Sequence, residues 1–389
     1  MATELSVLTF NIWALPGNFS SDKRKRIEAI GQAVCDLKYD VVCLQEVWTK
    51  SDYKEIKKYV SKTYPYHHYF YSGLLGSGLC TFSKWPIEEC FYYRFPLNGY
   101  FHMIHHGDWC GGKGVGIVQL NVQGLIVNVF NTHLHAQYSL LDSGDNYLAH
   151  RVVQAFDTAL FIKLSAESAD VNILAGDLNA EPTSLCMKII SCVAGLDDVY
   201  DLAVVKELKP ETNDCFRNTY RDKTLETSFP GRRIDYVLMK SKPNIKVSVL
   251  NHSFPLEPII PNKNFSYSDH EAVGVYLNIQ NMPAGQTSQL NDRETCQKQC
   301  LESALQVCDK EVQSINRNIK KHLCIIGAIL VCFPFIFLSF DCKGLTCTVT
   351  TLSLCFGLLM ISAEYQNYSW LKNAKKRIKL LGNQLKKQY

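Results

Sequence analysis

Apolar and polar positions along this chain fall into two regimes. Up to about residue 280, apolar, β-branched runs of strand length alternate with stretches of helical spacing. VLTF before Asn11, VVCL before Gln45 and Glu46, IVNVF before His133, and NILA before Asp177 and Asn179 read as buried strands. Residues 79–83, 115–122 and 125–131 are further strands, the last two joined by the short Gln123-Gly124 turn of an antiparallel hairpin. Asp22 caps a helix through Leu37, with Ile27, Ile30, Val34 and Leu37 on one stripe. A second helix over 147–164 places Val152, Ala155, Phe156 and Ala159 together. Mixed strand pairing with helices outside predicts an α/β class, two packed sheets between helical layers.

The second regime begins beyond this 1–280 domain. Residues 281–292 are turn-forming and polar and read as a linker. Residues 323–340 and 345–363 are uncharged apolar runs, each long enough to cross the ~30 Å hydrocarbon core. Asp341-Cys342-Lys343-Gly344 joins them as a tight loop, so the expectation is a two-span transmembrane hairpin; a buried core hairpin is the alternative. Arg317, Lys320 and Lys321 flank one outer end, and Lys372, Lys375, Lys376, Arg377 and Lys379 the other. Basic residues at both ends place both in the cytosol, so the 1–280 domain faces the cytosolic leaflet.

The flanks are patterned too. In the amphipathic segment 293–322, Leu301, Leu305, Cys308, Val312, Ile315 and Ile319 recur at steps of four and three. In the basic segment 364–389, Leu371, Ala374, Ile378, Leu381 and Leu385 do the same. That is a coiled-coil seam. It predicts that the flanks pair antiparallel as a stalk of roughly 33 Å between bilayer and domain; the alternative lays each stripe on the membrane or against the domain.

Charge and cysteine content narrow the class. A formal net charge of +4 over 389 residues is slight and disfavours a nucleic-acid partner. MATELSVLTF carries no signal-peptide pattern. None of the sixteen cysteines forms a CxxC pair, so a reduced, cytosol-facing domain is expected. The short spans lean towards the endoplasmic reticulum over the plasma membrane.

Carboxylates, amides and imidazoles recur at the ends of the apolar runs, with no thiolate among them. That donor set suits a hard cation such as Mg²⁺ acting on a phosphodiester. Glu46, beside VVCL, is costly to bury unpaired and is the first metal-ligand candidate; a salt-bridged structural glutamate is the alternative. Asn11 is placed to orient Glu46 or a metal-bound water. Asp177 and Asn179, two apart, share one face if the segment is extended, and there would hold water and phosphoryl oxygens; an Asx turn is the alternative. His270 is the candidate general base, and Asp269 before it a metal or water-shell ligand. His133 is a donor to a non-bridging oxygen, with His135 a second donor. Lys113 in GGKG would contact phosphate or stand exposed in a glycine-rich turn. Tyr92, Tyr93, Tyr100, Phe101 and Trp109 would form a choline-binding cage or, more commonly, pack as core.

The ordered words N…QE…NTH…GDLN…RIDY…SDH resemble the endonuclease/exonuclease/phosphatase superfamily. Within it, LQEVW, GSGLCTFSKWPI, NGYFHMIHHGDW, GKGVGIVQL and THLHAQY resemble the neutral sphingomyelinases of the phospholipase C type. The resemblance runs from about Ser6 to Leu277 and into the apolar tail. It implies a four-layer α/β/β/α sandwich of the deoxyribonuclease I kind. It assigns Asp235 to fix the tautomer of His270, and it implies Mg²⁺-dependent hydrolysis of sphingomyelin to ceramide and phosphocholine by water, without a covalent intermediate. The partners implied are membrane sphingomyelin or a related choline lipid such as a lysophospholipid, and no nucleic acid. A nuclease of the same superfamily is the alternative. A phosphoinositide phosphatase would need a Lys/Arg cluster that GDLN and SDH lack.

Overall fold

Three apolar clusters, stacked between helices and sheets, organise the molecule. The computed structural model describes residues 2–103, 106–138, 144–282, 291–339 and 343–386. One sheet has seven strands. In spatial order they are β10 (Val205–Lys206), β12 (Ile245–Ser253), β13 (Val273–Asn281), β1 (Ala2–Ala14), β2 (Val41–Val47), β4 (Gly78–Ser83) and β3 (Tyr66–Tyr69). The other has six: β5 (Ile87–Arg94), β6 (Gly114–Val122), β7 (Leu125–His133), β8 (Val171–Asp177), β11 (Asp235–Ser241) and β9 (Asp197–Asp198).

Val7, Val41, Val273 and Val275 of the first sheet meet Val118, Val129, Ile173 and Val237 of the second in the inter-sheet core. Helices α1 (Lys23–Leu37) and α2 (Lys50–Val60) cover the outer face of the seven-stranded sheet through Ile27, Ile30, Val34 and Ile56. Helices α3 (Leu148–Ser165) and α4 (Leu185–Ala194) cover the other through Val152, Phe156 and Ile190. This is the expected four-layer α/β/β/α sandwich. The Gln123-Gly124 turn has positive φ at both residues, as a tight β6–β7 hairpin requires. Asp22 precedes α1 but makes no side-chain cap, which corrects that expectation. Its carboxylate instead accepts a hydrogen bond from the Tyr220 hydroxyl.

A short helix α5 (Val199–Leu202) follows β9, and beyond the sandwich lie α6 (Asn291–Ser339) and α7 (Lys343–Lys386), both long and apolar enough to cross a membrane. Residues 283–290 of the linker, and Asp341 and Cys342 of the joining loop, lie outside the described residues, while Lys343 already begins α7. The two helices pair along their seams, but not as a free stalk. Leu301, Cys308, Ile315, Leu371, Ala374, Ile378 and Leu381 are buried in the same cluster as Phe156 of α3 and Ile190 of α4. The expected stalk is therefore corrected: the paired flanks lie along the domain. The reason is that α3 and α4 present an apolar outer face, and burying it on the seam removes more surface from water than a free hairpin does.

Specific contacts fix this packing. Arg377 forms a 2.6 Å ion pair with the fully buried Asp157 of α3. Tyr100 donates to Glu311, and the Asn367 side chain donates to the Gly99 carbonyl at 3.3 Å. Cys192 of α4 and Cys296 of α6 are joined as a disulfide, which corrects the expectation of a chain of free thiols. A sequence separation of 104 hides that pair until the helices are docked. Cys35, Cys43 and Cys80 remain free, as small apolar fillers.

Candidate active site

The rim where β1, β2, β7 and β8 end gathers the candidate residues, and bulges aim two of them. The parallel β1–β2 register slips between Asn11 and Ala14, and the β2–β4 register slips between Leu44 and Val47. Glu46 lies in the second bulge with φ 59°, Trp13 follows Asn11 with φ 48°, and Asn179 follows β8 with φ 44°. Left-handed backbone at three non-glycine positions around one site is strain of the kind functional sites hold.

His133 and Asp177 are the last residues of β7 and β8 and stand side by side in register. Asp235 faces Asp177 from the start of β11. It precedes its apolar run, yet reaches the same rim because β11 is antiparallel to β8. Thr212 fixes Asp235 by accepting from its backbone N–H at 3.2 Å. Gly176 is needed where it is: a Cβ there would lie 2.1 Å from the Thr132 carbonyl.

These residues form one chain of hydrogen bonds and close polar contacts. His270 Nδ1 lies 2.8 Å from Asp235 Oδ2, and its Nε2 lies 3.9 Å from Asp177 Oδ2. The Asn11 side-chain amide donates to Asp177 Oδ2 at 2.9 Å and to Glu46 Oε1 at 3.2 Å. Ser268 donates to the Asn11 carbonyl, and its hydroxyl also lies 3.1 Å from Asp269 Oδ1. The second carboxylate oxygen of Glu46 is buried and has no partner among the described residues. Glu46 is pushed up to about 7, by burial first and then by the charge of Asp269. A buried carboxylate with an unfilled lone pair, next to a second carboxylate, fits a divalent cation; Glu46 and Asp269 are the residues placed to hold one. Asp177, Asp235 and His270 also converge within 4.8 Å. Both Asp177 oxygens, Asp235 Oδ2 and His270 Nδ1 are spent on one another, on Asn11 and on the Asn179 N–H, which reads as an acid–base unit, while Asp235 Oδ1 has no partner among the described residues.

Electrostatics make His270 strongly basic, favouring its protonated form. Burial pushes its pKa down, but Asp235, Asp269 and Asp177 together outweigh that and hold it well above the ordinary histidine value. A cation beside those carboxylates would offset their charge and return His270 towards neutrality.

Asn179 departs from the extended-segment expectation. Its backbone N–H donates to Asp177 Oδ1 at 2.8 Å in an Asx turn, and its side chain donates to the Leu134 carbonyl. Lys113 is not an exposed turn lysine. Its ammonium is buried, paired with Asp108 at 2.7 Å, and 3.2 Å from His133 Nε2. His133 is held well below its ordinary pKa by burial and then by Lys113, so it is neutral. His133 Nε2 also lies 3.4 Å from Asp177 Oδ2, so this nitrogen faces the Asp177–His270 group, while Nδ1 is buried with no partner among the described residues. His135 is lowered to about 4 by burial; it stacks on Tyr147 and faces Asp108 at 3.6 Å, one step behind Lys113. The aromatic cage does not assemble. Tyr92 stacks on Phe70 and Tyr93 on Phe161, Tyr100 meets His150 edge-on, and Phe101 meets Trp109 edge-on.

Three structural anchors were not foreseen from the sequence. Asn131 of NTH donates to the Leu44 and Cys80 carbonyls and accepts from Gln45 of QE, stitching the two sheets behind the site. Arg26 is fully buried and donates to the Ser21, Ile12, Trp13 and Tyr267 carbonyls, pinning the Asn11 and Asp269 segments. The readable signal was a charged residue on the buried stripe of α1. Asp108 accepts from Lys113 and Tyr138. Opposite charges five residues apart in the glycine-containing DWCGGK were its only trace.

Fold and rim define a phosphoesterase-type sandwich. The chain belongs to the endonuclease/exonuclease/phosphatase family, whose model matches residues 8–270. It is 37% identical over 284 residues to sphingomyelin phosphodiesterase 2 of Homo sapiens, covering 72% of this chain and 66% of that protein. It is 34% identical over 309 residues to an inositol phosphosphingolipids phospholipase C of Schizosaccharomyces pombe, covering 72% of this chain and 70% of that protein. The chain spans 61% to 66% of the length of the animal relatives it matches. Among solved structures, a beta toxin variant from Staphylococcus aureus with bound magnesium ions superposes with a TM-score of 0.54 at 20% identity, over 70% of this chain and 99% of that one.

Proposed function

We propose that this chain is a Mg²⁺-dependent phospholipase C that hydrolyses membrane sphingomyelin to ceramide and phosphocholine. The carrying observation is the single chain of contacts from His270–Asp235 through Asp177 and Asn11 to the unfilled oxygen of Glu46. The relatives' names direct the phosphodiester reading to sphingolipids. The magnesium ions bound by the beta toxin variant, a protein of the same fold, agree with the hard-oxygen donors.

Asp235 holds His270 with Nε2 facing the site, and that nitrogen takes the proton of the attacking water. Asp177 orients that water beside it. His133, with the Lys113 charge 3.2 Å from its Nε2, favours the negative charge that develops on the phosphoryl oxygens. Glu46 and Asp269 would hold a divalent cation, which would supply charge neutralisation at the phosphate and a more acidic water. Ser268 Oγ accepts from the His270 backbone N–H at 3.3 Å but donates its own proton to the Asn11 carbonyl, not to the imidazole, so water is the nucleophile.

On the same reading, residues 323–340 and 345–363 cross the bilayer as a hairpin with both outer ends cytosolic, and 1–280 works on the cytosolic leaflet of the endoplasmic reticulum or plasma membrane. The full chain, offered sphingomyelin, lysophosphatidylcholine, plasmid DNA and phosphoinositides in parallel with Mg²⁺, is expected to hydrolyse sphingomyelin fastest. Nicking of DNA at a comparable rate would favour the nuclease reading.

A further inference from the structure

We propose that the paired loops carrying Leu74 and Trp109 form a bilayer-docking surface, seating the catalytic domain on the leaflet that its own tail enters. This rests on the reading of 323–340 and 345–363 as membrane spans. Tyr71, Leu74, Leu75 and Trp109 are 64%, 84%, 38% and 40% exposed, on two loops that form one unit. The backbone N–H groups of Leu74 and Leu75 both donate to the Cys110 carbonyl at 3.3 Å, and Gly112 donates to Gly76 at 2.9 Å. Gly73 and Gly112 approach so closely that a Cβ on Gly73 would lie 2.5 Å from the Gly112 nitrogen.

The place of this unit identifies its partner. A groove of about 450 Å³ separates it from α7, lined by Leu74, Arg94, Trp109 and Cys110 on one side and Gln366 and Asn367 on the other. Asn367 lies four residues beyond Ala363, the end of the second apolar run. That is about 6 Å along a helix at 1.5 Å per residue. Asn367 is also bonded to Gly99, which ties the domain to this level. The groove therefore opens in the headgroup layer, where a tryptophan has one face for lipid and an N–H for water. Exposed leucines there meet acyl chains.

Exposure alone does not mark the surface. Leu208 is 94% exposed, but it follows β10, at the opposite edge of the seven-stranded sheet from β3. The docking unit instead adjoins the site: Trp48, two residues past Glu46, packs against Gly78 and lies 3.3 Å from a Cβ built on Gly111.

The full chain reconstituted in phosphatidylcholine vesicles tests this, with p-benzoylphenylalanine placed singly at Leu74, Leu208 or Leu352 and irradiated. Lipid crosslinks at positions 74 and 352, at about tenfold or more over position 208, are expected for contact with acyl chains. Crosslinking at 352 with position 74 no higher than 208 would overturn the docking surface and leave the spans standing. No crosslinking at 352 would refute the spans and the docking surface with them. In parallel, Leu74→Asp is expected to slow hydrolysis of vesicle sphingomyelin about fivefold or more, since a charge is expelled from the interface. Turnover of a water-soluble short-chain sphingomyelin should stay within about twofold of the parent, which a folding defect would not allow.

Discussion

Replacing His270 by Ala is expected to lower turnover of sphingomyelin by about 10²–10⁴-fold, the usual contribution of a general base. His270 must be neutral to accept a proton, and its carboxylate neighbours hold its pKa above the ordinary value. Activity should therefore fall as pH drops through that raised pKa, giving an acidic limb to the pH–rate profile. Raising Mg²⁺ should move the limb to lower pH, because a cation near Glu46 and Asp269 offsets the charge that raises it. In the alanine variant the limb should vanish along with the rate. A loss smaller than about threefold at saturating Mg²⁺ would remove His270 from the reaction.

The second large effect is expected at the proposed cation site. Glu46→Gln preserves the shape of the side chain and the hydrogen bond at Oε1, but exchanges the unpartnered anionic oxygen for an amide. Activity should disappear at Mg²⁺ concentrations that saturate the parent, or recover only at far higher metal, because the ligand has lost its charge. Thermal unfolding without metal should not worsen, since burial holds this carboxylate up at about 7 and a neutral amide relieves that cost. Unchanged Mg²⁺ dependence in this variant would place the cation elsewhere.

How much of this was written in the sequence differs by residue. Strand-end chemistry was legible because apolar runs announce strands, and a polar residue ending one has few roles. Glu46, His133 and Asp177 were reached in that way, and His270 from SDH leading into the apolar AVGVYL. Asp235 needed the family resemblance, since it opens its run and joins the rim only because β11 is antiparallel to β8. Its role follows from topology, which periodicity does not carry. Lys113 was ambiguous because glycines flank it, and only tertiary packing decides whether a loop ammonium is solvated or buried; its partner Asp108 was not foreseen. Asn131 and Gln45 sit beside site residues in the sequence, and their work, bonding each other and the Leu44 and Cys80 carbonyls across two sheets, shows only in the packing. In the tail, the heptad pattern located the buried stripes. It could not say what they bury against, since an apolar seam fits a helix partner and the α3–α4 face equally well.

The central claim is that a cation-dependent water attack at phosphorus cleaves the headgroup from ceramide. Hydrolysis of sphingomyelin by the purified full chain in oxygen-18-labelled water tests it most directly, run with Mg²⁺ and again in excess chelator. Attack at phosphorus predicts label in phosphocholine, none in the ceramide hydroxyl, and no product in the chelated reaction. Label in ceramide, or undiminished turnover in chelator, would contradict the account.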